Sequence, residues 1–421
     1  MPDDWGMRDA ESGLPIVLVT MSRDDVSVSF LRADGKEARF PLRTSPFSET
    51  SALARLHLAP TDDSFAGRVL LAVTATGDDI AFELASGDDH KQLAGRLIVY
   101  LDQNQWSVLS KASDPAARIP DEDRVAAQRL ANLARDRRLV LPASSGHYHE
   151  TTKWTDDAAR HRLGLTILQL SRGWQLRDPL QIRRDEIRAS YEHMFLDAPA
   201  PRAGSVVTLM PNTIHGPSRG APPPKPPPDF PPALAAEYSA LVSATALIDV
   251  MLDRDHIPAT PPTAWAQTNQ RFSDWLDQEP RDSRQKRKAV DVLLLQDLQQ
   301  ELAEEALSSG ITPTQMSEWI WQHPVQFAAL PALGLFREVL HDRHLNRGVT
   351  WRPNDLTDMV YLSTAAAYTD AVVCERSMGS ALKRGLTRLG RTTPVFRRLR
   401  EAVPAIERML LAREQRAAPR D

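Results

Sequence analysis

The sequence contains very little cysteine and no long apolar run. Cys374 is its single cysteine, so the chain can form neither an internal disulfide nor a thiolate zinc cluster. No stretch approaches the roughly 18 uninterrupted apolar residues of a membrane span, and the first residues, MPDDWGMRDAES, lack the apolar core of a signal peptide. We therefore expect a cytoplasmic protein with no membrane partner.

The sequence also has little net charge. A formal charge of -4 on 421 residues neither attracts nor excludes nucleic acid as a whole. Between Arg376 and Asp421, however, twelve Arg or Lys residues stand against four Asp or Glu. This basic segment predicts either a solvated amphipathic helix or a surface that faces phosphates.

The hydrophobic pattern changes along the chain. Period-two segments such as VSVSFL, with an Asp-Gly turn nearby, predict β structure near the N-terminus. From Gly95, strand-like and helix-like segments alternate, which is typical of a parallel sheet flanked by helices. The predicted organisation is a β-rich accessory domain (1–94), a first α/β part (95–209), a proline-rich linker (210–232), a helical insertion (233–345) and a second α/β part with basic C-terminal helices (346–421).

Acidic residues occur at the ends of the predicted α/β elements. Asp102 follows the strand LIVYL, Glu150 lies early in the helix after RLVLP, Asp358 opens the helix DMVYLSTAAA, and Glu375 follows AVVC. Each alone could be a helix cap or a helix-start acid. Together they fall at one sheet edge, where they would repel one another unless a divalent cation neutralised them. Oxygen ligands favour Mg²⁺ or Mn²⁺, although His147 and His149 leave zinc open.

The segments VYLDQNQW, LPASSGHYHE and NDLTDMVYLSTAAAYTDAVVCE resemble the PIN-domain superfamily of metal-dependent nucleases. In that family an Asp ends the first strand, with Asn or Ser within two residues, which Asp102 and Asn104 match. Glu150, Asp358 and Glu375 stand at the positions of the following acids, although the last is usually Asp or Asn. The resemblance implies a PIN-like α/β fold for residues 95–195 and 346–390.

The resemblance implies hydrolysis of a phosphodiester, with Mg²⁺ or Mn²⁺ held by the matched acids. Asp102 and Asp358 would be the principal ligands, Glu150 a ligand or water-positioning base, and Glu375 an outer ligand. RNA is the implied substrate and DNA stays open, since nothing in the residues separates the two. A role as a toxin or defence effector is compatible with this activity.

Further residues are candidates for supporting roles. Asp355 and Asp370 are accessory acids by this reading, although Asp355 is equally explained as a cap and Asp370 as a strand-start residue. His147 could orient Glu150, contact substrate or lie on the helix surface. Residues that could hold substrate phosphates are Arg376, Lys383 and Arg384.

A different class of function is also open. In a non-catalytic PIN-like scaffold, the same carboxylates would be structural caps. The N-terminal domain or the helical insertion would then bind a protein or a nucleic acid. Uptake of metal that depends on Asp102 would distinguish the nuclease from the scaffold.

Overall fold

The computed structural model describes residues 8–41, 47, 51–60, 68–84, 89–200, 205–210, 235–252 and 263–417. The predicted proline-rich linker, 210–232, lies outside the described residues except for Met210. Among the helices of the described part, none is long and apolar enough to cross a membrane.

The strands are β1 (Ile16–Ser22), β2 (Ser27–Arg32), β3 (Glu37–Pro41), β4 (Leu53–Pro60), β5 (Arg68–Thr74), β6 (Asp79–Glu83), β7 (Leu97–Leu101), β8 (Leu139–Val140), β9 (Gln175–Leu176), β10 (Val207–Thr208), β11 (Ala371–Val373) and β12 (Val395–Phe396). The helices are α1 (Asp89–Leu93), α2 (Gln103–Ala112), α3 (Asp121–Arg135), α4 (Ser145–Thr151), α5 (Asp157–Ser171), α6 (Pro179–Phe195), α7 (Ala235–Leu252), α8 (Thr263–Gln278), α9 (Ser283–Asp297), α10 (Gln299–Ser308), α11 (Pro313–Trp321), α12 (His323–Ala329), α13 (Pro331–Leu345), α14 (Asp355–Tyr368), α15 (Arg376–Arg388) and α16 (Leu399–Ala417).

An antiparallel sheet forms the N-terminal region, as the period-two pattern predicts. Its strands lie in the order β3-β2-β1-β4-β5-β6. Gly35 takes a φ of 82° in the turn between β2 and β3, a conformation that glycine adopts without a steric penalty. The β-rich character of this region is therefore confirmed.

A small parallel sheet forms the centre of the α/β part, in the order β12-β11-β7-β8. Val372 of β11 is in register with Tyr100 of β7 and with Val395 of β12. Because β7 and β11 run in the same direction and are adjacent, Asp102 and Glu375 follow strands that end at the same edge. The mixed α/β class is confirmed, and β12 is a strand that the sequence pattern did not reveal.

Both faces of the parallel sheet are buried. Val99 and Leu101 point into one core with α2, α3, α5 and α16, whereas Tyr100 and Val372 point into a second core with the later helices. Successive strand residues alternate between faces, so an uninterrupted apolar strand such as LIVYL fits a sheet covered on both sides. The carboxyl edge of the sheet is where polar side chains can gather.

The N-terminal sheet packs directly on the α/β part. Leu56 and Phe82 of this sheet share a core with Ile167 of α5. The buried carboxylate of Glu83 accepts hydrogen bonds from Arg96 (2.7 Å) and from the indole of Trp174 (3.1 Å). The N-terminal sheet is thus joined to the α/β part by an apolar core and by buried polar contacts.

The helical region between the two α/β parts has α13 at its centre. Eleven of the fifteen residues of α13 are buried, and the helix contacts α6, α8, α9, α12, α14 and α15. Helix α6, which the sequence assigned to the first α/β part, packs against α10 and α13. The later helices and the parallel sheet therefore share one core across the predicted boundaries.

Candidate functional site

The carboxyl edge of the parallel sheet carries Asp102 and Glu375 on neighbouring strands. Asp102 follows β7, and its backbone N–H donates to the carbonyl of Val373 at the end of β11 (2.9 Å). Its carboxylate accepts from the backbone N–H of Gln103 (2.8 Å) and from that of Glu375. Asp102 is therefore both the N-cap of α2 and a carboxylate fixed between two strand ends.

Helices α4 and α14 bring Glu150 and Asp358 to the same edge. Lys153 joins the two helices, because its Nζ donates to Oε1 of Glu150 (2.9 Å) and to Oδ1 of Asn354 (3.0 Å). The side chain of Gln103 also donates to Thr151 Oγ1 (2.9 Å), which fixes α4 against α2. The four carboxylates predicted from the sequence thus lie at one edge of the sheet, although the first and the last of them, Asp102 and Glu375, are more than 270 residues apart along the chain.

The electrostatics show that these carboxylates influence one another. Burial raises the pKa of Asp102 to about 6; the N–H groups of Gln103 and Glu375 oppose that rise, and the charges of Glu375 and Glu150 add to it. Burial also raises the pKa of Asp358 to about 8. The charges of Asp102, Glu150, Glu375 and Asp355 add to that increase, in this order. Such shifts mark carboxylates whose negative charge lacks sufficient compensation.

Whether these residues fit a divalent cation depends on chemistry and on spacing. The donors are carboxylate oxygens, which are the ligands that Mg²⁺ and Mn²⁺ prefer. In the described part of the chain, no three His, Cys, Asp or Glu side chains lie close enough, as placed, to form a complete coordination group. The donor set therefore fits a divalent cation in chemistry and charge, but its side chains do not by themselves form a coordination group. Contacts through water, which Mg²⁺ commonly retains, would have to complete the coordination.

Two of the accessory acids have other structural roles. Asp370 lies at the start of β11, the opposite end of the strand from Glu375, and accepts from the backbone N–H of Ile98 (2.7 Å). The structure therefore removes Asp370 from the candidate site. Asp355 is paired with Arg343 (2.5 Å) and accepts from the N–H of Arg352 (2.6 Å), so its charge is compensated.

His147 is buried, which corrects the expectation that it lies on the helix surface. Its Nδ1 accepts from the N–H of Ser144 (3.1 Å), and its Nε2 lies 2.7 Å from the carbonyl of Leu101. The Ser144 donor requires Nδ1 to be unprotonated, so Nε2 carries the hydrogen. Burial lowers the pKa of His147 to about 4, in agreement with a neutral ring. His147 thus bonds the last residue of β7, directly before Asp102. Among the described residues, no hydrogen bond joins it to Glu150.

The basic residues near the site differ in their freedom to bind phosphate. Arg376 and Lys383 are exposed on α15, as is Asn104 on α2. Arg384 instead forms a bidentate pair with Asp342, at 2.6 and 2.7 Å, so the prediction that it holds phosphate is weakened. Sequence reasoning missed Arg397 and Arg398, which follow β12 and are exposed. Recognition of β12 would have placed them at the carboxyl edge of the sheet.

Comparison with known proteins adds no relative to this description. No family model, no curated protein and no solved structure matches the chain.

Proposed function

We propose that the protein is a metal-dependent nuclease with a PIN-like α/β part, and that it acts on RNA. The observation that carries this proposal is the convergence of Asp102, Glu150, Asp358 and Glu375 at one sheet edge, where burial and then their mutual charges raise the pKa values of Asp102 and Asp358. Four carboxylates with Lys153 as their one bonded cation among the described residues carry an excess of negative charge that a divalent cation would neutralise.

Each of the four acids has a role in this proposal. Asp102 and Asp358, the two acids of the cluster with raised pKa values, would be the principal ligands of Mg²⁺ or Mn²⁺, with Glu150 as a ligand or water-positioning base and Glu375 as an outer ligand. When bound, the cation supplies the charge needed to activate water and to stabilise the leaving oxygen. The N–H groups of Gln103 and Glu375 keep the Asp102 carboxylate in one orientation.

Lys153 has a positioning role in this proposal. Its ammonium group holds Glu150 against the start of α14, the helix that carries Asp358. Arg376, Lys383, Arg397 and Arg398 are the exposed cations that would contact substrate phosphates, because phosphate contacts orient a nucleic acid without reading its sequence.

The alternative is a non-catalytic scaffold. It is favoured by a specific observation: Asp102 caps α2 and Glu150 is paired with Lys153, so both have structural roles without metal. In that case the added helices and the N-terminal sheet would serve to bind a protein or a nucleic acid.

Cleavage of labelled RNA and DNA with Mn²⁺, with Mg²⁺ and with EDTA distinguishes the two functions. We expect metal-dependent cleavage of RNA that falls by about 100-fold or more in Asp102→Asn, since a principal ligand is lost. Asp282→Asn is the matched control, because Asp282 is also an N-cap and Asn caps a helix as well as Asp does. Cleavage that persists in Asp102→Asn, or no cleavage by the wild type, would contradict the nuclease.

A further inference from the structure

A cavity of about 610 Å³ lies along α14, the helix that carries Asp358. It is formed by the first turns of α6 and α14, with contributions from α8, α9 and α13. Its size is in the range of pockets that bind small molecules or single nucleotides. The lining residues used below are Asp178, Arg183, Trp265, Asp297, Thr357 and Tyr361.

The cavity adjoins the candidate site through α14. Thr357 lines it and is the immediate neighbour of Asp358, and Tyr361 lines it one turn further along. The Tyr361 hydroxyl contacts that of Ser145, the first residue of the helix that carries Glu150. A ligand in the cavity would therefore lie against α14, the helix that carries Asp358.

The cavity combines an apolar lining with two carboxylates. Trp265, Phe336 and Val360 supply apolar surface, and Trp265 packs edge-on against Trp351 with ring centroids 5.3 Å apart. Asp178 accepts from the N–H of Leu180 (2.8 Å) as the cap of α6. Asp297, at the end of α9, accepts a hydrogen bond from the side chain of Trp265.

Both carboxylates lack an ion-pair partner among the described residues. The cation in the lining, Arg183, forms a bidentate pair with Glu301, with its Nε 2.8 Å from Oε2. Burial raises the pKa values of Asp178 and Asp297. The N–H of Leu180 opposes the rise at Asp178 and the Trp265 side chain opposes it at Asp297, and the charge of Arg183 opposes both to a smaller extent. The cavity thus presents hydrogen-bond acceptors in an apolar setting, which suits a ligand with N–H donors.

We propose that this cavity binds a guanine base of the RNA strand whose phosphodiester lies at the neighbouring carboxylates. The proposal rests on the proposed function and specifies its substrate. Guanine presents two adjacent donors, N1–H and N2–H, to one carboxylate, whereas uracil presents a single N–H between two acceptors. Single-stranded bases are commonly held between aromatic side chains and hydrogen-bonding groups in this way.

A second cavity provides an internal contrast. It is also about 610 Å³ in volume and lies between α2, α3 and α5. Its lining includes Arg124 and Arg135 but no carboxylate, and none of its lining residues belongs to α4, α14 or α15. The two cavities therefore do not differ in volume. The proposed base-binding cavity differs in having two carboxylates in its lining and in being lined by α14.

The test is binding of nucleoside monophosphates to the intact protein in EDTA, measured by ligand-observed NMR. The wild type should bind GMP at least about tenfold more tightly than UMP, the scale of one bidentate base contact. Asp297→Asn should abolish this preference. Asp274→Asn is the matched control, because Asp274 is exposed on α8 and bonded to Gln270 (2.8 Å). Leu180→Trp, which fills the cavity from an exposed rim position, should weaken every nucleotide if Asp297→Asn does not fold.

The outcomes separate this proposal from the proposed function. GMP binding in EDTA needs no cleavage and no metal, so it can succeed even if the protein cuts nothing. Equal binding of GMP and UMP, no binding, a guanine preference that survives in a folded Asp297→Asn, or undiminished nucleotide binding by Leu180→Trp would overturn the base-binding cavity. Metal-dependent cleavage without guanine preference would leave the nuclease in place and remove only this inference.

Discussion

Carboxylates gather in two regions of the molecule: they are buried in the helical core around α13, and half-buried or exposed at the carboxyl edge of the parallel sheet. In the helical core, Arg337 makes a bidentate pair with Asp291 at 2.6 and 2.8 Å, and His341 Nε2 lies 2.8 Å from the same carboxylate. Arg287 bonds both oxygens of Glu338, at 2.8 and 2.7 Å. At the sheet edge, Lys153 is the one cation among the described residues that is bonded to the cluster, and it is bonded to Glu150.

Carboxylates that are bonded to Arg or His therefore differ from those of the sheet edge in the direction of their pKa shifts. Burial would raise the pKa of Glu338, but hydrogen bonds from His341 and Arg287 outweigh it and lower the value to about 2. The pKa of Asp291 is held well below its usual range by His341 and Arg337 against the same effect of burial. Asp102 and Asp358 have raised pKa values instead. Glu186 also has a raised pKa, although among the described residues only the N–H groups of Ala332 and Leu333 and the Tyr368 hydroxyl bond it. A raised pKa therefore points to a site only where several carboxylates without a cationic partner lie together, as at the sheet edge.

The largest effect should come from removing a cation of the helical core. Arg337→Ala leaves Asp291 buried with one strong partner fewer, and we expect a loss of about 3–5 kcal/mol of unfolding free energy. Urea unfolding followed by circular dichroism measures it. The control is Arg384→Ala, whose pair with Asp342 is exposed on the arginine side and should contribute less than about 1 kcal/mol. Similar losses in both variants would show that the core network is not special.

At the sheet edge, removing a charged side chain should increase the unfolding free energy. The pKa of Asp358, about 8 in the folded protein, lies above its value of about 3.9 in an unfolded chain. The folded protein therefore loses stability as the pH rises from the lower value through the higher one. In EDTA at pH 8, Asp358→Asn should stabilise the protein by about 1–2 kcal/mol, since solvent and relaxation reduce the full effect. Asp355→Asn, which weakens the pair with Arg343, should destabilise it.

Protons and the cation should compete for the same carboxylates. Because the pKa values of Asp102 and Asp358 are about 6 and about 8, lowering the pH from 8 to 6 protonates ligands that the cation needs. We expect the affinity for Mn²⁺ to fall by about tenfold or more over this range. Calorimetric titration at both pH values measures the change. An affinity that is constant with pH would place the metal, if bound, elsewhere.

The smallest effect should come from Lys153. Lys153→Met removes the ammonium group from Glu150, but both side chains are partly exposed, so the loss in EDTA should be below about 1 kcal/mol. The same variant should not abolish Mn²⁺ binding, because Lys153 compensates charge without being a ligand. A loss comparable to that of Arg337→Ala would make the two regions alike and remove the basis of the comparison.

Part of the candidate site could be predicted from the sequence because strand ends are local features. The run LIVYL becomes β7 and Asp102 follows it, and AVV becomes β11 with Glu375 close behind. The sequence offers Ser144 and Ser145 as alternative caps of α4, and in the structure Ser144 is the cap. Each of these depends on a few consecutive residues and on the topology of parallel strands.

The remaining features depend on contacts between distant residues. The burial of His147 follows from the carbonyl of Leu101, 46 residues away, and Arg384 is occupied by Asp342 on another helix. β12 has two residues, too few for a periodic pattern, so Arg397 and Arg398 went unrecognised. The roles of Lys153 and of the cavity near Trp265 likewise arise only when α4, α8 and α14 pack together.

The most direct test of the central claim is a calorimetric titration of the metal-free protein with Mn²⁺ at pH 7.5. Wild type, Asp358→Asn and the cap control Asp282→Asn should be compared after circular dichroism confirms that all three are folded. The account predicts binding with a dissociation constant of about 1 mM or tighter in the wild type and the control, and its loss in Asp358→Asn. No binding by the wild type, or equal binding by all three proteins, would contradict it.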